Sequence, residues 1–227
     1  MELEFTFLLP CLNEEKTILY CIEEIKKCIN DKKLKAEILV VDNGSEDKSA
    51  EIATTNGARV VECQERGYGA ALIAGTNNAY GKYCIMGDCD GSYDFYNIDE
   101  FIKKTRDGYD LVVGNRFKGG IEKGAMKISH KIGVRFLTII ANIFYKTKIN
   151  DFHCGLRVYN TKKFQDLKLK QKGMEYASEM IIMAKINNLK MIEVPTRLRK
   201  DLRNKKSHLR TISDGFRHLM FILKVNK

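Results

Sequence analysis

Tyr83-Cys84-Ile85-Met86-Gly87-Asp88-Cys89-Asp90-Gly91 is a short apolar run that stops at two carboxylates one residue apart. The run predicts a buried strand over 83–86. In an extended chain, side chains at i and i+2 point the same way, so Asp88 and Asp90 can converge on one point even where the strand frays. Two hard oxygen donors at a strand end suit Mg²⁺ or Mn²⁺, and such an ion usually also carries substrate phosphates. A bare D-x-D also fits an acidic turn closing a buried strand, so the flanking chain has to decide.

Working outward, the same unit recurs. Upstream, Phe5-Thr6-Phe7-Leu8-Leu9 reads as a strand ending at Pro10. Asn13 is placed to cap the next helix, with Glu14 and Glu15 in its first turn and Ile18, Ile22, Ile25 and Ile29 at near-helical spacing. Glu37 to Val41 is an apolar strand that stops at Asp42-Asn43-Gly44-Ser45, with a helix following to Asn56. Ala58 to Val61 is a third strand, and Gly67-Tyr68-Gly69 opens a helix to about Tyr80. Downstream, Asn97 to Arg106 is helical and Asp110 to Gly114 is a strand. Short apolar strands alternating with amphipathic helices predict an α/β fold: a mostly parallel central sheet flanked by helices. Ligands of such sheets sit beyond the carboxyl ends of the strands. Asn13 and Glu14, Asp42, Asp88 and Asp90, and Asn115 and Arg116 all fall at such ends.

After Gly114 the pattern changes. Phe117 to Met126 is a glycine- and lysine-rich loop, Ser129 to Tyr145 a long apolar helix, Leu156 to Tyr159 a candidate strand. Tyr176 to Asn187 reads as helix, and Met191 to Val194 as a strand closed by Pro195. A basic stretch from Arg197 to Lys206 leads into a C-terminal amphipathic helix with Ile212, Phe216, Leu219, Met220 and Leu223 on one stripe. The expected organisation is one main domain over 1–205 and a basic, amphipathic extension over 206–227.

Composition narrows the class. The 227 residues are 44% apolar and 30% charged, enough for a sizeable core. Met1-Glu2-Leu3-Glu4 is acidic where a signal peptide is basic. No run reaches the ~18 apolar residues of a membrane span; Ile132 to Tyr145 is shorter and contains Arg135. Seven scattered cysteines without a C-x-x-C pair predict reduced thiols in a cytoplasmic protein. The net charge of +10 is concentrated after Phe117 and implies anionic partners such as phosphates or an anionic membrane surface. A nucleic-acid module would interleave aromatics with the basic residues, and Arg197 to Lys206 contains none, so no nucleic acid is expected. Gly67-Tyr68-Gly69 lacks the third glycine of a dinucleotide fingerprint and follows the third strand. No phosphate loop, serine nucleophile elbow or glycine-rich nucleotidyltransferase loop is present.

Taken in order, Leu9 to Glu15, Ile38 to Asp47, Arg66 to Ala71, Met86 to Asp90 and Val113 to Phe117 resemble the family 2 inverting glycosyltransferases. The match is closest to the dolichyl-phosphate mannose or glucose synthase-like branch. Asp151 to Arg157, His208 to Thr211 and Asp214-Gly215 look like its bacterial subgroup. The resemblance implies a GT-A nucleotide-diphospho-sugar transferase fold. It implies that Asp42 sits by the base and ribose, with Pro10, Asn13 and Glu14 in the same pocket and Gly67 and Gly69 near the nucleotide. Asp88 and Asp90 would hold Mg²⁺ or Mn²⁺ on the donor diphosphate, offsetting charge that grows on the leaving group. Arg116 would bind donor or acceptor phosphate with its planar fork.

In the branch so resembled the acceptor is a polyprenyl phosphate, already anionic at neutral pH. Arg116, Lys131, Arg135, Arg199 and His208 are the residues expected to receive it. If the acceptor is instead a sugar hydroxyl of a capsule, lipopolysaccharide or other glycan, a base is required, and Asp151 and Glu179 are the candidates. Asp151 alternatively caps or orients Arg157. His153 and Cys154 are expected to pack, and Cys89 to fill a small-residue position. Two departures stand out: Asn43 replaces the second of two acids common in relatives, and Ser92 occupies the position of a further polar ligand. The helices over 132–144 and 212–223 are either core elements or a face that rests on the inner side of the membrane.

Overall fold

The computed structural model describes residues 2–203 and 211–225, with backbone alone at 211–214. Among the described residues, seven strands form one sheet: β1 (Phe5–Cys11), β2 (Ala36–Asp42), β3 (Arg59–Glu62), β4 (Tyr83–Met86), β5 (Leu111–Asn115), β6 (Arg157–Asn160) and β7 (Met191–Pro195). Their order is β3-β2-β1-β4-β6-β5-β7. The helices are α1 (Ile18–Asp31), α2 (Ser49–Thr55), α3 (Tyr68–Asn78), α4 (Asp99–Arg106), α5 (Arg116–Gly119), α6 (Ile128–Tyr145), α7 (Thr161–Asp166), α8 (Tyr176–Ile186) and α9 (Thr211–Lys224). This is the expected α/β fold. Phe7, Leu8, Leu9, Leu39, Val40 and Val41 are buried, as an apolar strand covered on both faces must be.

β6 is antiparallel to both β4 and β5, pairing Arg157 with Met86 and with Val113. It therefore begins where β4 and β5 end. That reversal carries residues 151–156 to the carboxyl ends of the parallel strands, beside Asp88 and Arg116.

Pro10 does not end β1, which runs on to Cys11 with Pro10 opposite Val41. β4 already ends at Met86 opposite Leu8, so Pro10 borders no strand on that side and its missing N–H costs little. Asn13 does not cap α1, which starts at Ile18. Asn13 lies at φ 57°, and its Oδ1 accepts from the Glu46 amide at 2.8 Å, joining the loops after β1 and β2. The short helices α5 and α7 were not foreseen; Asn115 and Asn160 cap them, accepting from the Lys118 and Lys163 amides.

α9 packs on α6 and α8, with Ile222 buried and its carbonyl accepting from Tyr145 Oη at 2.7 Å. The outer side of α6 remains apolar: Ile128, Ile132, Phe136, Ile139 and Ile143 are between 56% and 77% exposed. Their spacing is one helical stripe. No helix among the described residues is long and apolar enough to cross a membrane. The seven cysteines are buried free thiols.

Candidate functional site

Asp88 and Asp90 follow β4 into a cleft. Tyr68, at the start of α3, donates to Asp88 Oδ1 at 3.0 Å. Burial and the neighbouring Asp90 push the Asp88 carboxyl up to about 6. Asp90 Oδ1 accepts from the Ser92 amide at 2.9 Å, so Ser92 shapes the turn through its backbone. Asp90 Oδ2 accepts from Arg203 Nη2 at 2.6 Å, and Arg203 Nη1 donates to Glu14 Oε1 at 3.0 Å. Burial raises the Glu14 carboxyl, against the pull of Arg203.

A pocket of about 380 Å³ opens over these groups, lined among others by Pro10, Glu14, Asn43, Arg66, Gly67 and Asp90. Asp42 does not line it; its carboxylate accepts from the Ser45 amide at 3.1 Å and shapes the turn after β2. Asn43 takes the wall position. Its Nδ2 donates to the Cys63 and Glu65 carbonyls at 3.1 and 2.7 Å, and its Oδ1 accepts from the Gly67 amide at 2.8 Å. An ionised acid could not make those two donations, which accounts for asparagine here. Asn13 is likewise off the wall, used between loops.

Gly67 and Gly69 work through close approach. A Cβ on Gly67, at φ +138°, would lie 2.2 Å from the Lys172 carbonyl oxygen, and one on Gly69 the same distance from that of Gln171. Glu179 holds that opposing segment. Its carboxylate accepts from the Lys170 and Gln171 amides at 2.8–3.0 Å. Glu179 lines neither pocket.

A second pocket of about 140 Å³ lies behind Asp88 and shares Tyr68, Asp88 and Met174 with the first. Arg116, His130, His153 and His218 line it. Arg116 is gripped by Asp151, Nε to Oδ2 at 2.8 Å and Nη2 to Oδ1 at 2.7 Å. Burial disfavours the guanidinium charge, but Tyr93 and Asp151 outweigh it and raise the group. Asp151 is positioned by Glu193 of β7, which accepts from its amide at 2.8 Å. Asp151 is thus hydrogen-bonded to Arg116 and not to Arg157. The buried Arg157 donates instead to the Phe152, Cys154 and Ala177 carbonyls. His153 Nε2 lies 3.2 Å from His218 Nδ1, and Ser178 Oγ lies 2.8 Å from the same His218 nitrogen. Burial, then His218, lowers the His153 imidazole well below its ordinary value.

The other residues expected at an acceptor phosphate divide. Lys131 is half-buried on α6, and Arg135 is exposed with its guanidinium over Phe117, 4.6 Å from the ring centre. Arg199 lines neither pocket and pairs with Glu24 at 2.7 Å and Asp94 at 2.6 Å. His208 lies outside the described residues. The sequence alone assigns no role to Tyr68, Arg203, His130 or His218, and only packing to His153. Arg203 was in view only as part of a basic stretch, and the histidines converge from three separate elements.

No group of three histidine, cysteine or acidic side chains that could hold a metal converges among the described residues. Asp88 and Asp90 nevertheless fit Mg²⁺ or Mn²⁺. Such ions are often held by one or two carboxylates and complete their shell with phosphate oxygens and water. Asp90 already accepts a cationic group on Oδ2.

The sequence profile described as Glycosyl transferase family 2 matches residues 6–168. The low-salt glycan biosynthesis hexosyltransferase Agl6 of Haloferax volcanii is 36% identical over 217 residues, 95% of this chain and 52% of that protein. The chain therefore spans about half the length of that relative. A dolichyl-phosphate hexose transferase of the same organism is 28% identical over 197 residues, 85% of this chain and 83% of that protein. Both relatives are archaeal, which corrects the bacterial placement within the branch. The crystal structure of glucosyl-3-phosphoglycerate synthase from Mycobacterium tuberculosis with Mn²⁺ and UDP-glucose superposes with a TM-score of 0.74 at 20% identity, over 99% of this chain and 79% of that one. The fold is the GT-A fold.

Proposed function

The chain belongs to glycosyl transferase family 2, and on that premise we propose that it moves a sugar from a nucleotide-diphosphate-sugar to a polyprenyl phosphate, with inversion. One observation carries the acceptor. The two carboxylates that the sequence offered as a base for a hydroxyl, Asp151 and Glu179, are engaged by Arg116 and by backbone amides. The pocket behind Asp88 offers cationic and neutral nitrogen groups instead. A phosphate needs no base, because it arrives ionised.

In this reading the donor nucleotide lies in the larger pocket between Pro10, Asn43 and Gly67. Asp88 and Asp90 hold Mg²⁺ or Mn²⁺, which supplies positive charge against the departing diphosphate. Tyr68 fixes the Asp88 rotamer. Arg116, oriented by Asp151, meets the acceptor phosphate, and Lys131 and Arg135 lie on its approach along α6. The relative acting on dolichyl phosphate supports this acceptor class.

The same acceptor explains α6. Its inner side supplies His130, Val134 and Leu137 to the pocket while its outer side carries the exposed Ile128 to Ile143 stripe. Lys127, Lys131 and Arg135 flank that stripe, a pattern suited to an anionic membrane surface. α9 packs against α6 and brings His218 to the pocket behind Asp88, so the C-terminal helix adjoins the membrane-suited face.

Incubation with Mn²⁺, a panel of nucleotide sugars, and dolichyl or undecaprenyl phosphate tests the reading. A lipid-linked sugar is the expected product. No such product from any donor, with transfer to a soluble glycan acceptor, would replace it with hydroxyl transfer. Sedimentation with phosphatidylglycerol vesicles should fall in Phe136→Ser; equal sedimentation of both proteins would remove the membrane face.

A further inference from the structure

We infer that Arg203 is a resident cation of the donor site: it holds Glu14 and Asp90 together when no divalent ion is bound, and yields Asp90 when metal and diphosphate arrive together. This rests on the reading of Asp88 and Asp90 as the metal site.

Glu14 comes from the loop after β1 and Asp90 from the turn after β4, yet one guanidinium spans them, at 3.0 and 2.6 Å. One guanidinium thus offsets two carboxylates that the fold brings together from separate loops at the donor pocket. The Arg203 side chain is only 17% exposed, and its Nε is buried without a hydrogen-bond partner. The group is thus hydrogen-bonded to two acids, with a third, Asp201, 3.9 Å from its Nε, and Nε retains an unused hydrogen-bond donor.

The segment carrying Arg203 is laid in register on the D-x-D turn. The Arg199 amide donates to the Ser92 carbonyl and the Leu202 amide to the Asp90 carbonyl, both at 2.9 Å. Leu202 sits on Gly91, where a Cβ would come within 2.7 Å of its Cδ1. Arg199 is anchored by Glu24 and Asp94. Residues 199–203 form a strap with a fixed end at Arg199 and a functional end at Arg203.

A divalent ion held by Asp88 and Asp90 would meet a guanidinium already paired with Asp90, and the two cations would repel. Metal alone therefore has to displace a preformed ion pair. A nucleoside diphosphate changes the balance. It brings oxygens that accept from the planar fork, and Arg203 already lines the donor pocket. Metal and diphosphate then bind with positive coupling, and the strap exchanges a carboxylate for a phosphate.

The test is calorimetric titration of the full chain with Mn²⁺ alone, then with Mn²⁺ in the presence of UDP or GDP. Wild type is compared with Arg203→Gln and with Arg199→Ala, which loosens the strap but keeps Arg203. Expected without nucleotide is Mn²⁺ binding about tenfold tighter in Arg203→Gln, the scale of one charged hydrogen bond, and an intermediate gain in Arg199→Ala. Expected with nucleotide is weaker diphosphate binding in Arg203→Gln than in wild type. If Arg203→Gln does not fold by circular dichroism, the Arg199→Ala comparison decides alone. Equal Mn²⁺ affinity in wild type and variants would overturn the resident-cation role and leave the metal site standing. No Mn²⁺ uptake by any form, with or without nucleotide, would overturn the metal reading and this inference with it.

Discussion

Asp151 and Arg116 meet fork to fork, Oδ2 accepting from Nε at 2.8 Å and Oδ1 from Nη2 at 2.7 Å. Oδ2 also accepts from the Arg116 amide at 3.0 Å, so the carboxylate fixes both the backbone and the guanidinium at the end of β5. The two side chains are 0% and 5% exposed. Removing one partner strands a buried charge, and breaking such pairs costs roughly 3–5 kcal/mol. Asp151→Ala should lose stability on that scale in urea melts, and transfer activity should fall with it. A variant that kept wild-type stability but lost activity would return Asp151 to the role of a base.

Glu179 holds its loop through charged acceptor bonds to the Lys170 and Gln171 amides. Glu179→Gln keeps the shape but replaces one acceptor by a donor facing an N–H, a loss of roughly 1–3 kcal/mol. The 170–173 segment packs on Gly67 and Gly69, so its cleavage in limited proteolysis should speed up. The pH dependence of turnover should not change, since no proton moves through this group. A shifted pH profile with unchanged proteolysis would contradict the assignment.

Tyr68→Phe removes the donor to Asp88 Oδ1 and little else. Thermal stability should hold, while metal-dependent binding of a nucleoside diphosphate weakens about tenfold, as one bond to a charged group is worth. Unchanged binding by calorimetry would show that Asp88 keeps its place without Tyr68.

The histidine pair gives a pH dependence with a definite sign. His153 is held well below the ordinary 6.5 by burial, His218, Arg116, Arg157 and His130. Below that pH the unfolded chain takes up a proton that the folded site refuses, so stability rises with pH and is lost as pH falls. The loss from this group grows as pH falls below 6.5. The melting temperature should drop from pH 7 to pH 5, and His153→Gln should flatten that slope. An equal slope in both proteins would mean that other groups carry it.

The strands, their stopping points and the carboxylates at those points were legible because they are local. Tyr83 to Met86 matched its strand to the residue, and Asp88 and Asp90 stood at its end as their spacing requires. Periodicity encodes which face is buried, and a buried parallel strand needs nothing more than apolar residues and a polar stop. Asn43 shows how far this goes: its place after β2 was clear, but its work against Cys63, Glu65 and Gly67 was not.

Partner choice lay beyond the linear chain. Arg116 finds Asp151 across 35 positions, Arg203 finds Asp90 across 113 and Glu14 across 189. A chain with 39 basic and 29 acidic residues offers far more pairings than it uses. What selects among them is the sheet order, above all the reversed β6 that delivers residues 151–156 to the ends of β4 and β5. Ion pairs are short-ranged contacts whose strength depends on burial, and burial is set only once the strands are side by side. The opening carboxylates thus marked a strand end from their spacing, while the packed sheet determined that Asp90 shares an arginine with Glu14 and that Asp151 pairs with Arg116.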